Sequence, residues 1–393
     1  MLFVISALLA FSCDRGGESG AAANAAKSSP KTANEVIEAE PAPIEPGQLA
    51  SKAAPSMQRG VVLGAAAAAL VGRASDPALP CPPEVAQRFR EMTPDPPPPA
   101  LTRDAHYWIS NENAHDLFRE SILDLGGVLS GVGSDQVYLL AAWANASIIV
   151  PLDFDQEIVN LHHVYGIVLA NVSTPAEMLQ AFHKSSVEQV DAWIAKSSYP
   201  EEQKKIFVNT YDKAREKVRW RIDSMAKRYE ELGIASFYQN QEQFERIKNL
   251  WAKGRVFPIR GDLTADAAMR DLAAAIKDSG LTLSVLYLSN AEAYFDYGPS
   301  YRRNIIVQPF DERSIVLRTR QADYLGVADG DEYHFSVQPG LNFAAWMAKS
   351  RIANLKENFR NRRDGGKKGF SIIDAEPPEG KKLPEVAPLD APR

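Results

Sequence analysis

The middle of the chain alternates between two patterns of hydrophobic residues. Short, continuous apolar runs are typical of buried strands, whereas apolar residues that recur every three or four positions are typical of amphipathic helices. The two patterns follow one another here, which predicts an α/β fold built on a mostly parallel, Rossmann-like sheet. The strand patterns lie at 127–130, 147–150, 255–259 and 282–288, and the adjoining helix patterns at 117–125, 134–143 and 265–277.

One long stretch of helical pattern interrupts this alternation. Residues 159–250 have helical spacing almost throughout, including a highly charged part at 201–232, and they show no strand pattern. A crossover between parallel strands needs only roughly a dozen residues. The sequence therefore predicts a long helical insertion between the second and third strands, within a domain that spans 104–350.

The flanking parts of the chain lack this patterning. Residues 14–103 are rich in Ala, Pro, Ser and Gly, so we expect a disordered linker there. Within that linker, 60–72 is expected to form a short helix on the domain, and 80–99 an extended polyproline spacer. A mobile tail is expected at 361–393, which is rich in Lys, Gly, Pro and Glu.

Residues 1–13 begin with an apolar run and end in Ser12 and Cys13. The run is too short to cross a bilayer but has the length of the hydrophobic region of a signal peptide. A small residue directly before a cysteine at this point resembles a lipobox. This resemblance predicts lipidation of Cys13 and a membrane-anchored or periplasmic protein. The alternative is a cytoplasmic protein with an apolar N-terminus.

The composition argues against several kinds of partner and site. The chain has 44 basic and 50 acidic residues and a net charge of −6, so no nucleic-acid partner is expected. Cys13 and Cys81 both lie outside the predicted domain, which excludes a disulfide framework or a cysteine zinc site within it. Asp155 and His162 could share a helix face, but a metal site needs a third ligand that the pattern lacks. We therefore predict no metal.

Gly131 and Gly133 form a turn between the first strand and the next helix, followed by Ser134. Glycines let the backbone approach a ligand, and a helix start offers unpaired N–H groups. Gln136 stands where a G-x-G-x-x-G motif has its third glycine, so the motif alone equally fits a structural turn. Acidic residues after the second and third strands favour a nucleotide-type site, although Asp after a strand is also a common helix cap. These acids are Asp153, Asp155 and Asp262.

Two similar tetrads form a second candidate constellation, at 110–113 before the first strand and at 289–292 directly after the strand at 282–288. The carboxyl ends of strands form the ligand crevice of an open sheet, which favours a functional role for the second tetrad. The alternative is that each tetrad is a capping box of the following helix. The candidates for catalysis are Asn111, Glu112, Asn290 and Glu292, and the tyrosines that either wall a pocket or fill the core are Tyr287, Tyr294, Tyr297 and Tyr301.

The ordered set of segments resembles an uncharacterised bacterial family. Members of that family carry an SNE segment, a G-V-G-x-E/D-Q loop, a GDLT segment and a YLSN-x-E-x-Y segment. The corresponding residues here are 110–112, 131–136, 261–264 and 287–294. The resemblance covers roughly 107–318, and the family in turn looks like the class I S-adenosylmethionine-dependent methyltransferases.

This resemblance implies S-adenosylmethionine as the cofactor and a methyl acceptor of unknown identity as the substrate. One departure is Pro151, which stands directly after the second strand where the family has Asp. The alternative function is a non-catalytic, membrane-tethered lipoprotein that binds a small-molecule ligand on the same scaffold. The implied contacts are Gly131, Gly133 and Ser134 at the methionyl end, Asp153 or Asp155 at the ribose, Asp262 at the adenine, and Ser289, Asn290 and Glu292 facing the substrate.

Overall fold

A computed structural model of the chain describes residues 65–101, 105–321, 325–349 and 351–378. Several predictions fall on residues outside these ranges. They are the signal peptide with Cys13, the linker up to residue 64, and the tail beyond residue 378.

A mixed sheet of eight strands runs through the described part of the chain. In the order β3-β2-β1-β4-β5-β6-β8-β7, five neighbouring pairs are parallel and two are antiparallel. The predicted α/β fold with a mostly parallel sheet is therefore confirmed. The strands are β1 (Val128–Val132), β2 (Ile148–Asp153), β3 (Ile259–Arg260), β4 (Leu283–Ser289), β5 (Ile315–Arg320), β6 (His334–Pro339), β7 (Arg363–Asp364) and β8 (Phe370–Ile372).

The strands β1 and β4 lie side by side at the centre of the sheet. From β1 the chain adds β2 and then β3 on one side, and it returns to β4 and β5 on the other side. In the parallel register of the central pair, Leu129 lies opposite Val285, and Gly131 lies opposite Tyr287. Because these five strands run parallel, their carboxyl ends meet at one edge, where the reversal of strand order opens a crevice.

Helices cover both faces of the sheet, and five consecutive ones separate β2 from β3. These five confirm the predicted helical insertion. The helices are α1 (Ala65–Ser75), α2 (Pro83–Arg90), α3 (Asp116–Ile122), α4 (Gln136–Ala144), α5 (Gln156–Asn171), α6 (Pro175–Ala181), α7 (Val187–Lys196), α8 (Glu201–Glu231), α9 (Gln241–Ala252), α10 (Ala268–Asp278), α11 (Pro299–Ile306), α12 (Gly340–Lys349) and α13 (Leu355–Asn358).

The charged helix α8 packs through a narrow apolar stripe. Its buried residues recur every three or four positions, which places them on one face of the helix, while most of the charged residues, though not Arg221, occupy the solvent side. The stripe comprises Phe207, Tyr211, Ala214, Val218, Ile222, Met225 and Tyr229.

The core consists of two hydrophobic layers, one on each face of the sheet. Successive side chains of a strand point to opposite faces, so Leu129 joins the layer that packs on the insertion helices, and Val128 joins the other. In β4, Val285 and Leu286 divide in the same way. Burial on both faces explains why these strands are continuous apolar runs rather than alternating ones.

The predicted disordered linker is wrong for residues 65–101, which fold onto the domain, although the short helix expected within 60–72 is present from residue 65 as α1. Pro83 begins α2, where a missing N–H costs nothing. The helix then buries Val85 and Phe89, and the ring of Phe89 stacks on Phe257 at 5.1 Å. The proline-rich composition concealed this short amphipathic helix, so the predicted polyproline spacer is wrong for residues 83–90.

Two further contacts hold this N-terminal part to the domain. The guanidinium of Arg255 donates to the carbonyl oxygens of Ala74 and Leu79, both at 2.7 Å. Cys81, which we expected outside the domain, is buried in the second core layer as a free thiol. The folded domain therefore includes residues 65–101 and does not start at 104.

The predicted mobile tail is wrong for its first residues. β7 and β8 extend the sheet beyond 361, and β8 pairs in parallel with β6. Phe370, Ile372 and Ile373 are buried against the two core layers. Glycines and lysines precede this strand, and its apolar residues are interrupted by Ser371, so the pattern is too short to stand out in the sequence.

Candidate functional site

A cavity of about 340 Å³ opens at the carboxyl ends of β1 to β4. Its walls come from the loops that follow these four strands, together with Pro98 and residues 105–111. Eight of the predicted site residues line it, which brings three strand ends and both tetrads to one place. They are Asn111, Gly133, Ser134, Asp153, Asp155, Asp262, Ser289 and Asn290.

The glycine turn after β1 is fixed by its own side chains. Gly133 has a φ of +92°, a conformation that other residues rarely adopt. The N–H of Ser134 donates to Oε1 of Gln136 at 3.1 Å, and Nε2 of Gln136 donates to the carbonyl of Val132 at 3.3 Å. Gln136 stands where the G-x-G-x-x-G motif has its third glycine, and its side chain therefore stabilises the turn by hydrogen bonds within it.

Gly131 does not line the cavity. It lies within β1, where a Cβ atom would come within 3.0 Å of the Cβ of Tyr287 on the neighbouring strand. The glycine allows β1 and β4 to pack closely, so its predicted place at the methionyl end of a cofactor is wrong.

Asp153 is the last residue of β2 and lies in the cavity wall. Its carboxylate accepts the N–H of Gly133 at 3.0 Å and the N–H of Asp155 at 2.9 Å. Burial raises its pKa to about 7, against the lowering effect of these two N–H groups. Since β2 runs two residues past Pro151, a carboxylate does stand at the end of this strand.

Asp155 has a different environment. One carboxylate oxygen caps α5 by accepting the N–H of Glu157 at 3.0 Å, and the other lies 2.7 Å from Nδ1 of His106. One oxygen of Asp155 is thus paired with a side chain, whereas both oxygens of Asp153 accept backbone N–H groups only, which makes Asp153 the better of the two candidates for a ligand contact. His106 was absent from the predicted site, because a lone histidine before the first strand gives no signal in the sequence.

The loop after β3 is organised by two aspartates. Asp262 accepts the N–H of Thr264 at 2.8 Å and its hydroxyl at 2.7 Å, so one of its oxygens shapes the turn. Asp95 is almost fully buried and accepts the N–H groups of Asp262 and Ala267, both at 3.0 Å. The contribution of Asp95 was missed because it lies in the part expected to be a linker.

The glutamates of the two tetrads do not face the cavity. Glu112 is fully buried and accepts hydroxyl protons from Tyr287 at 2.5 Å, from Thr319 at 2.6 Å, and from Ser289. His115 adds a contact at 3.4 Å. Although burial alone would raise it, the pKa of Glu112 is held below its ordinary value by His115 and by the hydroxyls of Ser289 and Thr319. Its predicted catalytic role is therefore wrong, and it holds the tetrad to the strand ends.

Glu292 is buried in the same manner. It accepts the hydroxyls of Tyr297 at 2.5 Å and Tyr301 at 2.7 Å, and its other oxygen lies 3.6 Å from the buried guanidinium of Arg318. The predicted substrate contact of Glu292 is wrong as well. Of the four tyrosines considered, only Tyr294 lines the cavity, and it is 53% exposed.

The asparagines of the two tetrads meet at a third residue. Nδ2 of Asn111 donates to the hydroxyl of Tyr333 at 2.6 Å, and Nδ2 of Asn290 donates to the same hydroxyl at 3.1 Å. Tyr333 is buried, and burial raises its pKa to about 12. Ser289, beside Asn290, has a φ of +51°, which is a strained conformation at a cavity wall.

The helical insertion supports the site through a buried arginine of α8. Arg221 of α8 is buried and pairs with Asp135 of the glycine turn at 3.2 Å. It also donates to Oδ1 of Asn113 and to the carbonyl of Glu112, both at 2.7 Å. One guanidinium thus joins the glycine turn to the first tetrad, and its position within a charged helix concealed this function.

His162 belongs to the same support rather than to a metal site. Its Nε2 donates to the carbonyl of Gly133 at 2.9 Å, and its Nδ1 accepts the hydroxyl of Tyr138 at 2.7 Å. Burial lowers its pKa to about 4, so the ring is neutral near pH 7. Within the described residues, no group of three His, Cys, Asp or Glu side chains is arranged to hold a metal ion.

The comparisons with known proteins give one family. A family model described as a domain of unknown function, DUF7790, matches residues 107–374. No curated protein matches the chain. Among the residues that the structure describes, no helix is both long and apolar enough to cross a membrane.

Proposed function

The chain belongs to the DUF7790 family, whose function is unknown, and from the geometry of its cavity we propose that it is an S-adenosylmethionine-dependent methyltransferase. The observation that carries this proposal is the position of Asp153. A carboxylate at the end of β2, beside the glycine turn after β1, is placed to accept hydrogen bonds from the two hydroxyls of a ribose.

The neighbouring walls suit the base of an adenosine. Phe154 follows Asp153 in the cavity wall, and Leu263 adds apolar surface from the loop after β3. The second oxygen of Asp262 is placed to accept a hydrogen bond from an exocyclic amine. A volume of about 340 Å³ lies within the range of about 300–1,000 Å³ that is usual for small-molecule sites.

The glycine turn suits a cofactor that carries no phosphate. The N–H groups of Gly133 and Ser134 already donate to Asp153 and Gln136, so they are not available to a phosphate. That arrangement favours a nucleoside without phosphates over a nucleotide. S-adenosylmethionine would supply an electrophilic methyl group when bound, and the residues around it would contribute mainly orientation.

Calorimetric titration of the full-length chain with S-adenosylmethionine and S-adenosylhomocysteine tests this proposal. We expect saturable binding of both. Asp153→Asn should weaken it, whereas Asp155→Asn, a matched change of an acid with other partners, should leave it nearly unchanged. If neither ligand produces heat at millimolar concentration, the cofactor assignment is wrong.

A second candidate is a membrane-tethered protein that binds a small molecule without catalysis. It is favoured by the apolar run that ends in Ser12 and Cys13, because S-adenosylmethionine is a cytoplasmic metabolite. Growth of the producing cells with a palmitate analogue distinguishes the two. Label that disappears in Cys13→Ala favours the tethered protein, and an unlabelled cytoplasmic protein removes its main support.

A further inference from the structure

Asn111 and Asn290, which are far apart in the sequence, line the same cavity and share one hydrogen-bond partner. We infer that their two carboxamide oxygens bind an N–H donor, and that this donor is the amine of a lysine side chain. The assignment of that amine as the methyl acceptor rests on the proposed function. The binding of the amine itself does not.

The orientation of the two carboxamides carries the inference. In each, Nδ2 donates to the hydroxyl of Tyr333, so the planar amide turns its oxygen away from the phenol. Both asparagines line the cavity, and neither oxygen accepts a hydrogen bond from any residue that the structure describes. Two acceptors without a protein donor therefore stand in the cavity wall beside the strained Ser289.

Tyr333 is itself held firmly, which keeps the pair in place. Its own N–H and those of Asn113 and Ala114 donate to the carboxylate of Asp331, at 2.6–3.0 Å. One aspartate thus ties the loop before β6 to the first tetrad. Tyr333 acts as a positioning residue, because it orients both amides without facing the ligand.

A second groove indicates what carries the amine. It shares Ile109 and Asn111 with the cavity, and Trp220 of α8, which is 60% exposed, lies in its wall. The face of an indole attracts a cation or packs on an aliphatic chain. The groove also contains Glu332, while Asp329 is paired with Lys368 at 2.6 Å. An apolar stem with a cationic end fits this surface better than an anion does.

A pair of peptides separates the N–H donor from the charge. One fluorescein-labelled peptide has the sequence Gly-Gly-Lys-Gly-Gly, and the other carries trimethyllysine, which keeps the positive charge but has no N–H. Fluorescence anisotropy with the full-length chain should show that the lysine peptide binds about tenfold more tightly, the equivalent of one charged hydrogen bond.

Four variants test whether Asn111 and Asn290 cause this preference for the lysine peptide. The combined change Asn111→Ala and Asn290→Ala should abolish it, and Tyr333→Phe should reduce it by releasing both amides. Trp220→Ala should weaken both peptides equally. Asn171→Ala, a change of an asparagine on α5, should alter neither.

Three results would overturn the inference: equal binding of the two peptides, no binding of either, or a preference that survives in the double asparagine variant. Competitive displacement of the lysine peptide by S-adenosylhomocysteine would also overturn it, since the bound donor would then be the amino group of the cofactor. If the lysine preference holds while S-adenosylhomocysteine does not bind, the inference stands and the proposed function fails.

Discussion

Asp153 accepts the N–H of Gly133 at 3.0 Å, which joins the end of β2 to the glycine turn after β1. This contact fixes a carboxylate at the centre of the sheet edge, where the cavity opens. The carboxylate is costly to keep ionised there, as the pKa of about 7 indicates. A ligand with two hydroxyl donors would offset that cost.

The first prediction concerns Asp153→Asn. An amide presents one acceptor oxygen and no charge, so it cannot satisfy both the Gly133 N–H and a ribose diol. We expect binding of S-adenosylhomocysteine to weaken by about tenfold to a hundredfold, measured by calorimetry. Asp155→Asn serves as the control, because Asn also caps helices well. Equal losses in the two variants would contradict the assignment of Asp153.

The second prediction is a pH dependence of the same binding. The ligand requires the ionised carboxylate, and Asp153 has a pKa of about 7, so affinity should rise with pH and level off above 7. At lower pH, each unit should cost up to about tenfold in affinity. Calorimetry at pH 7 in buffers of different ionisation enthalpy should detect proton release on binding. Uptake of protons instead would show that Asp153 is not the acceptor.

The third prediction concerns stability in acid. The ring of His163 stacks on Phe207 and is hydrogen-bonded to the hydroxyl of Tyr199. Burial lowers the pKa of His163 from 6.5 to about 4. The folded state therefore excludes a proton that the unfolded chain binds, and stability falls as pH drops from 6.5 towards 4. Asp153, whose pKa is raised, has the opposite effect between 3.8 and 7, so a comparison of variants is needed.

His163→Phe removes the proton-dependent term and keeps a ring on Phe207. Relative to this variant, the wild type should lose up to about 1.4 kcal/mol of unfolding free energy per pH unit between 6.5 and 4. Urea unfolding at several pH values measures the difference. A difference that does not change with pH would show that the ring titrates normally in the folded state.

The fourth prediction is that Glu112 stabilises the fold. Glu112→Gln replaces a buried carboxylate that accepts from Tyr287, Ser289 and Thr319, and it should lower the free energy of unfolding by about 2 kcal/mol at pH 7. Because the pKa of Glu112 is lowered, the stabilisation is present above pH 4.5 and should shrink as pH falls further. Chemical denaturation provides the measurement.

Glu120→Gln is the matched control for this prediction. Glu120 is exposed and pairs with Lys367 at the surface, so its loss should change stability by less than about 0.5 kcal/mol. If the two glutamate variants were equally stable, Glu112 would not have the structural role that its contacts indicate.

The polar residues of the site show where sequence patterns stop being sufficient. Asp153 and Asp155 differ by two positions and look equivalent in the sequence, yet one ends a strand in a cavity wall and the other caps a helix beside His106. In the second tetrad, a pattern could place Asn290 and Glu292 at a strand end. It could not tell that the first faces the cavity and the second is buried.

The sequence by itself determined the order of the first four strands, the helical insertion and the strand ends from which the cavity is built, whereas it gave no sign of β5 to β8. These features depend on hydrophobic periodicity, which is a property of residues that are close together in the sequence. Only the tertiary structure decided that α2 belongs to the domain, that Arg221 stabilises the glycine turn, and that Tyr333 binds two asparagines. These relationships join residues far apart in the chain, and burial and hydrogen bonding at such distances leave no periodic trace in the sequence.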